Sequence, residues 1–185
     1  TLSVLLDGQV GGKMYSHSHH KMTEQGKLAH TLNGRLPGTE FYMSKDDPRI
    51  ATAGLSPQDG MYMIAPGVVK NDDGSFSKNT KVVTVESYYK EYYRMANVET
   101  NTFSTDFLKL REMRLEYKLP GSTLKKTPFS KASIAFYARN LFCITDYPLF
   151  DPESAALNGS SMVTGVETGS LPTARTFGLN INLSF

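Results

Sequence analysis

The sequence predicts an all-β protein whose long antiparallel strands cross a membrane as part of a β-barrel. Four stretches alternate apolar and polar residues with a period of two, so each strand has one apolar and one polar face. These stretches run for about 9 to 14 residues, near the roughly 9–11 that a membrane-spanning strand needs. Long and short connections follow one another, as extracellular loops and periplasmic turns do in outer-membrane barrels.

Composition excludes several other classes of protein. The chain has 20 basic and 18 acidic residues and a net charge of +2, so it lacks the positive charge of a nucleic-acid-binding protein. Mean hydropathy is −0.33, and no apolar run approaches the roughly 20 residues of a membrane helix. Cys143 is the only cysteine, which rules out an intramolecular disulfide. Mean hydropathy does not detect the strands of a membrane barrel, because their apolar residues alternate with polar ones.

The first predicted strand covers about residues 1–16, where the even positions from Leu2 to Met14 are all apolar or glycine. Because the chain opens inside this pattern, we expect an upstream part to be missing. Residues 17–105 then form a predicted extracellular loop with one short helix, from Thr84 to about Arg94. Glu86 in the first turn and Arg94 in the last suit the dipole of that helix.

The remaining strands are predicted at 106–119, 131–146 and 174–185. Residues 120–130 form a periplasmic turn that begins with the turn-forming pair Pro120-Gly121. Residues 148–172 form a second extracellular loop. Polar side chains of the middle strands are candidates for the lining of the barrel lumen: Arg114, Glu116, Tyr137 and Arg139. Their simpler role is cross-strand pairing within the wall, worth well under about 1 kcal/mol for each pair.

The last strand alternates without a break to the final residue. Its apolar positions are candidates for the C-terminal signal that barrel-assembly machinery recognises: Phe177, Leu179, Ile181, Leu183 and Phe185. A chain that ends in phenylalanine by coincidence would not have such a regular strand before it.

Two groups of loop residues are candidate contacts with a ligand or a partner protein. Tyr88, Tyr89, Tyr92 and Tyr93 could stack on sugars or bind a partner, but we favour a role in packing the loop. Asp151 and Glu153 could be paired catalytic carboxylates, but Pro152 between them favours turn hydrogen bonds that order the loop base.

The histidines of "SHSHH" form the one cluster that resembles a metal site. On a strand, His17 and His19 would share a face, with His20 and His30 nearby. No cysteine or carboxylate follows at a fitting spacing, so we favour solvated histidines over a metal site. Nucleophile, phosphate-loop and Cys/His motifs are also missing from the sequence. The sequence therefore predicts no enzyme, no metal and no cofactor.

Several stretches resemble the C-terminal region of SusC/RagA-type TonB-dependent outer-membrane transporters. "DFLKLREMRLEYKLP" is similar to a late strand of that family, and "SIAFYARNLFCITDYPLFDPES" carries its Arg-Asn-Leu-Phe, Tyr and Asp-Pro-Glu series. "LPTARTFGLNINLSF" matches its closing strand with the terminal Phe. "LLDGQVGGKMYS" and "VESYYKEYYR" resemble an upstream Gly-Gly stretch and a helix of a long late loop.

The resemblance implies the C-terminal part of a barrel with about 22 strands, since four strands cannot close one. Such proteins import oligosaccharides or peptides across the outer membrane of Gram-negative bacteria. The implied partners are the rest of the barrel and its plug, a SusD-like surface lipoprotein over the loops, TonB acting through the plug, and outer-membrane lipid.

Two other architectures compete with this interpretation. A soluble secreted β-sandwich binding module would pack the apolar faces of two sheets against each other. A small passive barrel would need about eight strands, and the sequence does not contain eight alternating stretches.

Overall fold

The computed structural model describes residues 1–149, 151–154, 156–158 and 161–185. The predicted loop at 148–172 therefore falls partly outside the described residues. The described chain forms two compact units, one made of residues 1–14 and 103–185 and the other of residues 15–102. We call them the sheet unit and the insert unit. The structure is mostly strand with a few short helices, as the predicted all-β class requires.

Elements are numbered along the chain. The N-terminal part contains β1 (Leu2–Gln9), β2 (Lys13–Ser16), α1 (His17–Glu24), α2 (Pro48–Thr52), β3 (Tyr62–Ile64), β4 (Val68–Lys70), β5 (Phe76–Lys78), β6 (Val82–Thr84) and α3 (Val85–Tyr92). The C-terminal part contains β7 (Thr102–Ser104), β8 (Phe107–Lys118), α4 (Gly121–Leu124), β9 (Lys131–Thr145), β10 (Ala156–Asn158), β11 (Ser161–Val163), β12 (Val166–Glu167) and β13 (Thr176–Ser184). Short 3-10 turns cover Ala29–Leu32 and Val98–Asn101.

The main element of the sheet unit is one antiparallel sheet of four strands in the order β1-β8-β9-β13. Register aligns apolar residues in a row across all four strands: Leu2, Leu115, Phe136 and Leu179. These four side chains are 45–63% exposed. The described residues thus form an open sheet, with a broad apolar face that nothing in the described chain buries.

The first strand is shorter than predicted. β1 ends at Gln9, and the chain turns through Gly11 and Gly12, which have φ values of +86° and +96°. L-residues with a side chain disfavour such backbone angles. At Gly12 a Cβ would also lie 2.8 Å from the Thr105 hydroxyl oxygen. Alternation alone predicted one strand over 1–16, because glycine fits an apolar position without revealing a turn.

A register shift divides β8 and β9. Leu110 pairs with Phe142 and Glu112 with Arg139, so Arg111 has no direct partner in β9. Opposite it, Asn140 adopts a φ of +52° and its side-chain amide donates to the Ala174 carbonyl at 3.0 Å. This bulge changes the phase of β8, whose apolar face contains Leu108 and Leu110 before Arg111 and Met113 and Leu115 after it, whereas the Phe107 ring lies beside the Lys109 ammonium.

Most of residues 17–105, predicted as an extracellular loop with one short helix, belong to the insert unit. It contains three helices, two short two-stranded sheets and its own cores of buried side chains. One core is Met43, Ile50 and Tyr62, and the other is Met63, Val85 and Tyr89. α3 begins after Thr84, whose hydroxyl accepts a hydrogen bond from the Ser87 amide at 3.0 Å.

Tyr137 occupies the space that a side chain on Gly178 would fill. The two residues are register partners in β9 and β13, and a Cβ at Gly178 would lie 2.3 Å from Tyr137 Cζ. Glycine on this strand therefore accommodates the tyrosine ring of its neighbour.

We expect Gly178→Ala to destabilise the protein by about 1–3 kcal/mol, because the methyl group must displace the Tyr137 ring. Urea unfolding of the purified protein measures the change. Gly121→Ala is the matched control, since nothing lies within 4 Å of a Cβ there. Adding Tyr137→Ala should make Gly178→Ala neutral; equal costs for Gly178→Ala and Gly121→Ala would contradict the steric explanation.

Candidate functional site

The four predicted lumen residues lie on the polar face of the sheet. Arg114 and Tyr137 are register partners. Arg139 donates from Nε to Glu112 Oε2 at 2.9 Å, and its Cζ lies 5.6 Å from the Tyr137 ring centre. Arg114 Nη2 is 3.6 Å from Glu116 Oε1. The polar face is therefore a surface of paired charges, and the lining of a lumen by these residues stays a prediction.

A buried lysine lies at the centre of a larger ionic cluster on this face. The Lys109 ammonium in β8 is 3% exposed and donates to Asp151 Oδ1 at 2.5 Å and to Glu153. Arg111 donates to the other Glu153 oxygen and, at 2.8–2.9 Å, to Asp7 in β1. We call these five residues the ionic cluster. It fastens the segment after β9 to two strands of the sheet.

Asp151 joins the cluster to the chain entering β13. Its Oδ2 accepts from the Thr173 hydroxyl at 2.6 Å, and its Oδ1 accepts from the Glu153 amide at 3.1 Å. Burial alone would raise the pKa of Asp151, but the hydrogen bonds from Lys109 and Thr173 outweigh burial and lower its pKa to about 2. A carboxylate that stays ionised in this way cannot act as a general acid near neutral pH.

Sequence reasoning selected Asp151 and Glu153 but missed their cationic partners. Lys109 and Arg111 belong to β8. Arg111 is the residue of the bulge, where the strand changes phase. The sequence feature that could have indicated these cationic partners is the run of charges in "KLRE", beside apolar Leu108 and Leu110. Which of those charges meets a loop 40 residues later depends on tertiary structure.

The four tyrosines belong to the insert unit, on α3 and the residue after it. Tyr89 is buried, and its hydroxyl donates to the His30 carbonyl at 2.7 Å. Tyr93 lies against the rings of His30 and Tyr89. Tyr88 and Tyr92 stack on each other with ring centres 5.5 Å apart. Thus Tyr89 and Tyr93 pack within the unit, whereas Tyr92 is 48% exposed.

The histidines differ from the prediction. His17, His19 and His20 lie on helix α1, which begins directly after β2, and the Ser16 side chain caps this helix by accepting from the His19 amide. His19 and His20 are buried rather than solvated. The His19 ring stacks on His30 at 5.2 Å, and its Nδ1 lies 2.9 Å from Asn101 Oδ1. Burial lowers the pKa of both His19 and His30, so both imidazoles are neutral at neutral pH.

No three His, Cys, Asp or Glu side chains in the described ranges converge as ligands of one metal ion. No helix among those residues is long and apolar enough to cross a membrane.

Comparison with known proteins gives partial matches. No family model matches the chain. TonB-dependent receptor P3 of Formosa agariphila is 31% identical over 87 residues, which make up 45% of this chain and 9% of that receptor. A structure of the RagAB peptide transporter matches 100% of this chain and 16% of its own chain, with 17% identity and a TM-score of 0.52. A closed-closed RagAB peptide importer matches 100% and 15%, with 18% identity and a TM-score of 0.50.

These matches establish a relationship of limited extent. The chain is similar in sequence to part of a TonB-dependent receptor, and it has the fold of a part of a RagAB chain. It spans only 9–16% of the length of these proteins. They are named as a receptor, a transporter and an importer, and none of the three as an enzyme.

We expect Asp151→Asn to cost about 3 kcal/mol at neutral pH, because buried Lys109 loses one of its two carboxylate partners. Since the folded-state pKa of Asp151 is lowered to about 2, its contribution is complete above the unfolded value of roughly 3.9 and is lost as pH falls toward 2. Thermal unfolding of both proteins across this range should show their difference shrinking only below about pH 4.

Glu86→Gln is the control, because the Glu86–Lys90 pair is exposed and should contribute well under about 1 kcal/mol. A difference between the wild type and Asp151→Asn that persists undiminished near pH 2 would show that the Asp151 charge is not what stabilises the cluster.

Proposed function

We propose that this chain forms part of the wall and the external loops of a TonB-dependent outer-membrane importer. The observation that carries the proposal is the four-stranded sheet with an exposed apolar face and a charged opposite face. Such a sheet suits a barrel wall, with lipid on the apolar side and water on the polar side. The similarity to a TonB-dependent receptor and the fold match to RagAB support it.

In this proposal the strands belong to the C-terminal part of a barrel with about 22 strands. Further strands pair with the free edges of β1 and β13, since an unpaired edge is not tolerated in lipid. The residues from β2 to β7 and those between β9 and β13 face the cell exterior, and the 120–130 turn faces the periplasm. Arg114, Glu116, Tyr137 and Arg139 then line the lumen.

The importer takes up oligosaccharides or peptides and needs no cofactor. Its partners are the rest of the barrel, the plug through which TonB acts, a SusD-like surface lipoprotein over the external loops, and the lipid of a Gram-negative outer membrane. The nearly balanced charge leaves nucleic acid out of this set. The loop contacts are the exposed parts of Tyr88 and Tyr92, whereas Asp151 and Glu153 hold the loop base.

A soluble β-sandwich is the alternative function class. It requires a second sheet over the apolar face, as sandwiches bury their inner faces at about 10 Å separation. Leu115, Phe136 and Leu179 remain about half exposed in the described structure. This exposure favours lipid as the covering phase.

Neighbouring residues of β13 should report opposite environments. We expect an environment-sensitive fluorophore on Leu179→Cys to be strongly quenched by brominated lipids in reconstituted vesicles, and the same label on Asn180→Cys to be quenched little. The two positions point to opposite faces of one strand. Cys143→Ser serves as the background, because this thiol is exposed. Absence of quenching at both positions would favour the soluble sandwich.

The alternating face of β13 should also matter for membrane assembly. We expect Phe185→Ser to lower the amount of protein recovered in the outer-membrane fraction several-fold, because the assembly signal of Phe177, Leu179, Ile181, Leu183 and Phe185 loses its last aromatic residue. Phe76→Ser is the matched control, as Phe76 is an exposed aromatic residue of β5 in the insert unit. Equal recovery of both variants would remove the signal from the proposal.

A further inference from the structure

Two histidine rings lie against each other inside the insert unit. The His19 ring of α1 and the His30 ring of the Ala29–Leu32 turn have centres 5.2 Å apart and planes within 19° of parallel. His19 is buried and His30 is partly buried. The hydrogen bonds of the described residues include none between the two rings. We call this pair the histidine stack.

Each ring of the histidine stack is held by a neutral hydrogen-bond partner. His19 Nδ1 lies 2.9 Å from Asn101 Oδ1, and the amide nitrogen of Asn101 donates to the Tyr93 carbonyl at 2.9 Å. The Asn101 oxygen is therefore an acceptor, so His19 Nδ1 is assigned the hydrogen. His30 Nε2 lies 3.1 Å from the Thr23 hydroxyl oxygen. Neutral imidazoles satisfy both of these contacts.

The histidine stack joins α1 and the Ala29–Leu32 turn to α3. The centre of the Tyr93 ring, directly after α3, lies 5.9 Å from that of His19 and 5.3 Å from that of His30. The Tyr89 ring of α3 lies 5.9 Å from His30, and its hydroxyl donates to the His30 carbonyl at 2.7 Å. Displacement of the stack would therefore detach both segments from α3.

The titratable groups that face the stack from α3 are neutral. Burial raises the pKa of Tyr89 and of Tyr93, so both hydroxyls keep their protons near neutral pH. On the Val98–Asn101 turn, the residue that contacts the stack is Asn101, which does not titrate.

The charged groups of α1 are engaged with one another. Glu24 Oε2 lies 2.9 Å from the Lys21 ammonium, and Glu24 Oε1 lies 2.8 Å from His20 Nε2. A positive charge on His20 would disfavour a second positive charge on the neighbouring His19 ring. Within α1, the Glu24 carboxylate is thus engaged by Lys21 and His20.

Acid acts on the two rings of the stack in the same direction. Burial lowers the pKa of His19 despite its Asn101 hydrogen bond, and burial together with the His19 ring lowers the pKa of His30. In an opened unit both rings titrate near about 6.5. As pH falls below this value, the open form binds protons before the closed form does, so acid favours opening.

We propose that the histidine stack is an acid-sensitive switch that holds the insert unit closed while both rings are neutral and releases α1 and the Ala29–Leu32 turn from α3 when they are protonated. Two positive charges about 5 Å apart repel each other strongly where water is excluded. Each charged ring also needs hydration that its packed surroundings do not supply. Opening exposes the Tyr89 and Tyr93 rings, which pack against the stack in the closed unit.

This inference does not depend on the barrel proposal, because both histidines and their described partners belong to the insert unit. Its test follows local opening rather than uptake or membrane location. A failure here would leave the importer proposal intact, and the reverse also holds.

The test is amide hydrogen exchange, followed by mass spectrometry on the intact protein in detergent at about pH 7.5 and about pH 5.5. We expect protection factors of peptides from α1 and α3 to fall about tenfold or more at the lower pH. Each histidine contributes up to about tenfold for each pH unit below about 6.5. Peptides from β9, in the sheet unit, should change by less than about threefold.

Matched variants separate the stack from the other histidines. His30→Phe keeps a ring and removes the charge, so it should make the acid-induced loss of protection at least about threefold smaller. His17→Phe should lose protection as the wild type does, because the His17 ring contacts His20 edge-on and lies outside the stack. His30→Gln is the second variant if His30→Phe does not fold, since its amide can replace Nε2 at the Thr23 hydroxyl.

Three results would overturn the proposal. The first is unchanged protection of α1 in the wild type at the lower pH. The second is an undiminished acid-induced loss when residue 30 is no longer histidine. The third is an equal loss in β9, which would show general acid unfolding rather than local opening of the insert unit.

Discussion

The register shift at Arg111 is the constraint on which the sheet unit depends. A slip of one residue would exchange the two faces of a strand, because side chains alternate. β8 changes phase at this bulge, and β9 accommodates the change through Asn140 at positive φ. Apolar side chains consequently stay on one face before and after the shift, and Lys109 and Arg111 remain with the polar face.

The two faces of the sheet have different energetic requirements. The apolar face has a row of half-exposed side chains. Covering these side chains would contribute a favourable free energy of about 25 cal/mol for each Å² of apolar surface removed from water. The polar face contains buried Lys109, whose desolvation is offset only because Asp151 and Glu153 lie in direct contact with it. The ionic contacts thereby fasten the segment after β9 to the polar face of the sheet.

Alternation predicted the strands well where backbone geometry stays regular and poorly where it does not. The strand from Phe177 to Phe185 could be predicted from its two-residue period alone. At Gly11 and Gly12 the same pattern concealed a turn, because glycine is compatible with both an apolar position and a positive φ. Residues 17–105 have no long period, so helices α1 and α2 and the two cores of the insert unit remained hidden. Ser16 offered a cap for α1, but the pattern of β1 extended over it and the histidines were assigned to a strand end.

The sequence by itself determined that long strands have one apolar and one polar face, since this depends only on residue order and strand geometry. It also indicated the α3 helix, through the placement of Glu86 and Arg94 near its two ends. Tertiary structure alone decided that Lys109 meets Asp151, that Tyr137 needs Gly178, and that Tyr89 is buried while Tyr92 faces solvent. These contacts join residues far apart in the chain, so they follow from the bulge, the register and the packing of the insert unit, which no local pattern encodes.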